Sequence, residues 1–202
     1  ATDLEQAPEI FTAADDQSPA GVYDVNATGG FDWNYHFVYH GAQLFVDATG
    51  QHVIDFAVDS NATYGDQPLQ LFGATDSGLP VEFESSDPSV LEVVGDQLVV
   101  TGAGEAVIYA WAYGDANWNQ SDELNATVTV HTAQLEVIAH DEEKEYLEPN
   151  PELSFHYEGF VNDENETALE QAPEIFTTAD DSSESGVYDV NATGGFDSNY
   201  HF

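Results

Sequence analysis

Apolar residues fall along this chain in short bursts, and within most bursts they alternate with polar ones, the period-two pattern of strands with one buried face. Residues 1–48 contain four such runs, EIFT, GVYDV, YHFVY and AQLFV, separated by the turn-forming stretches ADDQSPAG, ATGG and HG. His40-Gly41, lying between FVY and AQLFV, predicts a tight hairpin in which glycine supplies the positive φ. Residues 49–130 add HVIDFAV, PLQLFGA, PVEFES, VLEVV, QLVV, EAVIYAWA and ATVTV, with Gly95-Asp96 as a two-residue hairpin loop. TGAGEA, around Gly102 to Gly104, reads as another hairpin turn. Many short strands at this spacing predict a β-sandwich.

The chain also repeats itself. Leu4 to Phe37, LEQAPEIFTAADDQSPAGVYDVNATGGFDWNYHF, returns as Leu169 to Phe202, LEQAPEIFTTADDSSESGVYDVNATGGFDSNYHF, at an offset of 165 residues. A self-match at fixed spacing marks a tandem array, here one full repeat and the start of the next, and favours a window of a longer chain. Gln17-Ser18-Pro19-Ala20 becomes Ser182-Ser183-Glu184-Ser185, which predicts an exposed loop tip. Trp33 becomes Ser198, a loss too large for a packed core, so Trp33 is expected to face solvent or a neighbouring module.

The run TYGDQPLQLFGATDSGLPVEFESSDPSVLEVVGDQLVVTGAGEAVIYAWAYGDANWN resembles the bacterial immunoglobulin-like repeats of large surface proteins, through YGD, SGLPV, SSDPSV, TGAG and GDANWN in order. AQLEVIAHDEEKEYLEPNPELSFHYEGFVNDE and the segments APEIFT, GVYDVNATGG and NYHF resemble the companion MBG-type module, except that EYLEPNP around Tyr146 stands where YGD is expected, which puts the turn there in question. The resemblance implies an all-β fold of tandem Ig-like β-sandwich modules set end to end. Its divisions are 1–48, the C-terminal part of an MBG-type module; 49–130, an Ig-like sandwich; and 131–202, an MBG-type sandwich lacking its last strand. Only DATGQ and HTA separate neighbours, which predicts a semi-rigid rod. Such families are similar to adhesins and cell-surface stalks and carry no catalytic residues.

Charge narrows the function further. The chain holds 39 Asp and Glu against one basic side chain, Lys144, for a formal charge of -38. No cationic surface exists to displace phosphate counterions, so nucleic acid is not an expected partner, and no apolar run is long enough to insert in a membrane. Cysteine and methionine are absent. Six asparagines stand in acceptor triplets, Asn26, Asn61, Asn119, Asn125, Asn165 and Asn191, as expected of glycosylation sites in an exported chain.

No required cofactor is expected. Calcium is the metal that fits hard oxygen ligands, and the candidate loops hold Asp15, Asp16, Asp180, Asp181 and Asp141. The seven histidines have no metalloprotease spacing, and His36 and His201, one position in two copies, read as outward strand residues. In EAVIYAWAY one face carries Val107, Tyr109, Trp111 and Tyr113, the other Ala106, Ile108, Ala110 and Ala112. Size favours burying the aromatics; the resembling repeats carry small aliphatics inward. Exposed Trp111, Trp118 and Trp33 would be candidate binding residues.

These features point to a non-enzymatic structural segment of an extracellular fibre, filament or adhesin stalk, packed against neighbouring copies of itself. The alternative is a carbohydrate- or ice-binding surface module. A sheet edge near Phe202, where the second copy stops short of AQLFV, is a candidate for strand complementation.

Overall fold

The computed structural model describes residues 4–202. In chain order its strands are β1 (Gln6–Thr12), β2 (Gly21–Phe31), β3 (Ala42–Val46), β4 (Val53–Ala57), β5 (Asn61–Thr63), β6 (Leu69–Gln70), β7 (Phe72–Thr75), β8 (Glu82–Ser85), β9 (Leu91–Val94) and β10 (Gln97–Val100). There follow β11 (Gly104–Trp111), β12 (Leu124–His131), β13 (Ala133–Gln134), β14 (Glu136–Ala139), β15 (Phe155–Glu158), β16 (Gln171–Thr177), β17 (Val190–Phe196) and β18 (Tyr200–His201). A single 3-10 turn, Glu166–Ala168, is the only helical element among the described residues. The fold is all-β.

Two compact units are present. The first takes the chain up to Asp55 with Gly73–Glu82 and Trp111–Glu123; the second takes Phe56–Phe72, Phe83–Ala110 and Leu124–Phe202.

In the first unit β1, β2 and β3 form an antiparallel sheet in that order. The YHFVY run is not a strand, and His40-Gly41 is not a hairpin. The reason is register. Ala42 lies opposite Val25, six residues back from the end of β2 at Phe31, so the chain from Asp32 to Gly41 must return about 20 Å before pairing begins. It does so as a loop, with the Tyr39 hydroxyl donating to the Gly29 carbonyl. In the same unit the 115–119 loop clasps residues of the first 50: Thr49 N–H donates to the Asn117 carbonyl at 2.9 Å, and Asn119 N–H to the Thr49 carbonyl at 2.7 Å.

The second unit holds a sandwich. One sheet runs β6-β10-β9, the other β5-β12-β11-β8, and their facing residues Leu91, Leu98, Ile108, Val128 and Val130 share one buried core. Gly95-Asp96 turns β9 into β10, Val94 opposite Gln97, with Gly95 at φ 64°. TGAG is not a hairpin: β10 and β11 lie in different sheets, and the turn carries the chain across from one to the other. Strand parity on β11 buries Ala106, Ile108 and Ala110, all at 1% exposure or less, and leaves Tyr109 on the opposite face. Small residues let the two sheets approach closely. The core does not stop at residue 130. Ala133, Leu135 and Tyr200 are buried in the same cluster, with Tyr157, Phe160, Val161 and Leu169 packed against it.

Candidate functional site

A set of polar bonds at that core joins residues 61–66 to residues 157–201. Thr63 to Asp66 make a tight turn: Asp66 N–H donates to the Thr63 carbonyl at 2.9 Å, and the Asp66 carboxylate accepts Thr63 N–H at 2.7 Å. Gly65 sits at φ 93°, and a Cβ there would lie 2.6 Å from the Val161 side chain. The positive φ favours glycine, and the close approach of Val161 requires it.

The turn delivers Tyr64 inward. Its ring meets the Tyr200 ring edge-on at 5.6 Å, and Phe160 packs on the other side of Tyr200 at 5.5 Å. Both hydroxyls donate to one carboxylate, Glu164, Tyr64 at 2.9 Å and Tyr200 at 2.6 Å, while Val161 N–H donates to the Tyr200 oxygen at 3.1 Å. Burial raises the pKa of Tyr200, and its bond to Glu164 raises it further; burial likewise raises that of Tyr64. An ionised phenol would stand against the carboxylate in a low-dielectric site, so the neutral forms are held.

The loop carrying Glu164 is shaped by residues suited to left-handed backbone, Asn162 at φ 55° and Asp163 at φ 58°. Beside it Asn199 accepts Ala103 N–H at 2.8 Å, tying the NYHF motif to the TGAG crossover. Gly102 in that crossover has no space for a side chain, since a Cβ would meet the Ser89 carbonyl at 2.5 Å. Tyr200 and His201 form β18 alongside β13, in parallel, Ala133 opposite Tyr200.

Residues 135–202 match the family model of the MBG domain, YGX type. MBG domains are repeat modules of large surface proteins. No curated protein matches the chain. The matched segment supplies Val161, Glu164, Asn199 and Tyr200 to the junction, and the strands before it supply Tyr64, Gly65 and Ala103. Its own Tyr-Gly-X position is Tyr146-Leu147-Glu148, and the turn in question at EYLEPNP is made: Glu148 N–H donates to the Glu145 carbonyl at 3.1 Å, with Leu147 at φ 71° where Gly65 stands at 93°.

The residues singled out in the sequence do not gather into one site. Asp15 and Asp180 occupy equivalent turns and spend their carboxylates on them: Asp15 accepts from Gln17 N–H at 3.0 Å, Asp180 from Ser182 N–H at 2.9 Å. The Ser182 bonds lower the Asp180 pKa. Asp16, Asp181 and Asp141 are exposed. Among the described residues no three His, Asp or Glu side chains come together in a metal-holding group. All six triplet asparagines are exposed; Asn165 also caps the 3-10 turn, its side chain accepting Thr167 N–H. Trp33 is 78% exposed, edge-on to Phe31. Trp111 and Trp118 are half-buried, Trp111 edge-on to Tyr113 and Trp118 bridged through its backbone to Thr49.

Nothing in the sequence alone joins Glu164 to Tyr200 as a site. Glu164 is one among 39 Asp and Glu residues, and its neighbours Asp163 and Asn165 do not set it apart. Tyr200 has a signal of its own: Asn199-Tyr200 survives between copies while the adjacent Trp33 becomes Ser198.

Proposed function

We propose that the chain is a load-bearing spacer of an extracellular surface protein, a segment of a fibre or adhesin stalk in which residues 49–130 and 131–202 share a core. The observation that supports this best is the Tyr64–Glu164–Tyr200 junction, a largely buried polar network that joins strands of the Ig-like and MBG segments. A joint of this kind resists bending and separation. The acidic surface belongs to the same reading: self-repulsion at -38 is relieved by high salt or by divalent cations such as calcium, and it keeps neighbouring stalks apart.

Pulling single molecules by their two ends tests the proposal. A spacer unfolds in discrete steps, and Tyr200→Ala lowers the force of the step that opens the second unit. Smooth extension without steps would overturn it. A second reading, a carbohydrate- or ice-binding face, draws on the exposed Trp33; saturable glycan or ice binding abolished by Trp33→Ala would favour it.

A further inference from the structure

β14 and β15 pair antiparallel, Ile138 opposite His156 and Ala139 opposite Phe155, and the ladder carries on to His140, whose backbone N–H donates to the Ser154 carbonyl at 2.9 Å. Side chains alternate across a strand, so Glu136, Ile138 and His140 share one face with Ser154, His156 and Glu158. The opposite face is the covered one, with Tyr157 packed on the core of the second unit. On the open face His140 and His156 are diagonal neighbours, both exposed and within reach of each other. Their ring planes differ by 24°, and His140 Nε2 stands 2.9 Å from His156 Nδ1.

The groups around the pair fix which nitrogens carry protons. His140 Nδ1 lies 2.9 Å from Ser154 Oγ, which donates its own proton to the Glu142 carboxylate at 3.3 Å and so accepts from the ring. His156 Nε2 lies 3.5 Å from the Glu158 carboxylate, which when ionised only accepts. Both imidazoles therefore point an N–H outward, and the two inner nitrogens turn lone pairs toward each other. At 2.9 Å two lone pairs repel unless a cation stands between them. A shared proton can fill that place, and so can a metal ion. The outer partners are of the kind that orient metal-binding histidines: a hydroxyl backed by a carboxylate on one ring, and a carboxylate on the other.

We propose that His140 Nε2 and His156 Nδ1 bind a divalent transition-metal ion, copper(II) in preference to zinc. Two metal–nitrogen bonds of about 2.0–2.1 Å meeting at a right angle set the nitrogens about 2.9 Å apart, whereas a tetrahedral ion would need about 3.3–3.4 Å. Copper(II) favours the right-angled, tetragonal arrangement and stands at the top of the affinity order for divalent first-row ions. Imidazole selects it over calcium and magnesium, which prefer carboxylate oxygen. Water takes the remaining corners, since no third His, Asp or Glu joins the pair among the described residues. The ion releases the shared proton to solvent and clips β14 to β15. Glu136, Glu142 and Glu158 nearby, within a chain of formal charge -38, draw cations to this face. The site is separate from the Tyr64–Glu164–Tyr200 junction and does not depend on the spacer reading.

The test titrates the whole chain, stripped of metal, with copper(II) chloride in a non-coordinating buffer and follows it by nuclear magnetic resonance. Copper up to one equivalent is expected to broaden the ring signals of His140 and His156 and the amides of Ile138 and Ser154, and excess calcium is expected to leave that broadening in place. His140→Ala and His156→Ala, at exposed positions that keep the backbone ladder, are each expected to weaken binding at this face ~10-fold or more. His52→Ala, which removes an imidazole bonded to Asp76, is expected to leave it unchanged. Electron paramagnetic resonance is expected to show two imidazole nitrogens coupled to the copper in the parent and one in either variant at the pair. Broadening confined to the acidic turns at Asp15 and Asp180 or to other histidines overturns the proposal, as does an affinity that both alanine variants leave unchanged. A pair whose signals stay sharp at one equivalent of copper holds a proton only, and that overturns it too.

Discussion

Gly65→Ala is the sharpest perturbation of the junction. An alanine at φ 93° costs about 1–2 kcal/mol in backbone strain alone. Its Cβ would also stand 2.6 Å from Val161 Cβ and Cγ2, and forcing a methyl into a packed site costs about 1–3 kcal/mol more. The expected loss is therefore about 2–5 kcal/mol in the second unit. Gly95→Ala is the control. It lies in the same unit at φ 64° with nothing within 4 Å of its would-be Cβ, so it should lose only the strain part, about 1–2 kcal/mol. Val161→Ala in the Gly65→Ala background removes the Cγ contacts but keeps the Cβ at 2.6 Å; Val161→Gly removes all three, and a double-mutant cycle with it should return a coupling of about 1–3 kcal/mol. The probe must be chosen with care: Trp33 and Trp118 lie in the first unit and Trp111 stands at the end of β11, so tryptophan fluorescence does not isolate the event. Urea titration followed by the tyrosine near-ultraviolet dichroism or by the Tyr64 and Tyr200 amide signals does. A Gly65→Ala loss equal to that of Gly95→Ala, or a coupling of zero, would refute the close approach to Val161.

Three further outcomes follow from the same network. Because the folded state raises the pKa of Tyr200 and Tyr64 above the ordinary 10.0, their contribution is complete below pH 10 and declines as pH rises past it. The slope approaches about 1.4 kcal/mol per pH unit for each phenol, and Tyr200→Phe should flatten it in an alkaline urea series. Glu164→Gln replaces two bonds to a charged acceptor by neutral ones and should cost about 1–3 kcal/mol by urea midpoint. Asn199→Ala strands the Ala103 N–H and should cost about 1–3 kcal/mol, whereas Asn34→Ala, the same position in the first copy and exposed there, should change the melting profile little.

Alternation was enough to locate most strands, because each buries one face against a single core and the pattern is local. EAVIYAWA became β11 and ATVTV part of β12 in this way. Where pairing partners decide the outcome, local pattern fails. YHFVY alternates as well as any strand, yet it is a loop in the first copy because register places Ala42 opposite Val25. The same Tyr-His is β18 in the second copy, because Ala133 is there to pair with. TGAG has the residues of a hairpin turn and is a crossover for a like reason: a turn's residues state how sharply the chain bends, not whether it returns to its own sheet. The junction was hidden by chemistry. In a chain so acidic, a carboxylate that accepts from two buried hydroxyls is spelled the same as one solvated in a turn.

The two Tyr-x-acid turns show what the glycine is for. Thr63–Asp66 and Glu145–Glu148 close with the same bond from fourth N–H to first carbonyl, and both place their third residue at positive φ. If the turn alone demanded glycine, leucine at 147 would be a serious fault. It is tolerable because Leu147 is 65% exposed, in open surroundings, while Gly65 has Val161 against it. Leu147→Gly should then be close to neutral. Relief of about 1–2 kcal/mol of strain is offset by about 0.5–1 kcal/mol of added backbone entropy in the unfolded chain. The modest cover lost from a side chain about one-third buried removes a further 0.5–1 kcal/mol, roughly. A urea midpoint corresponding to within about 1 kcal/mol of the parent is expected. A gain above about 2 kcal/mol would mean that the turn itself sets the glycine requirement, and that the packing of Val161 on Gly65 is a consequence of the turn and not its reason.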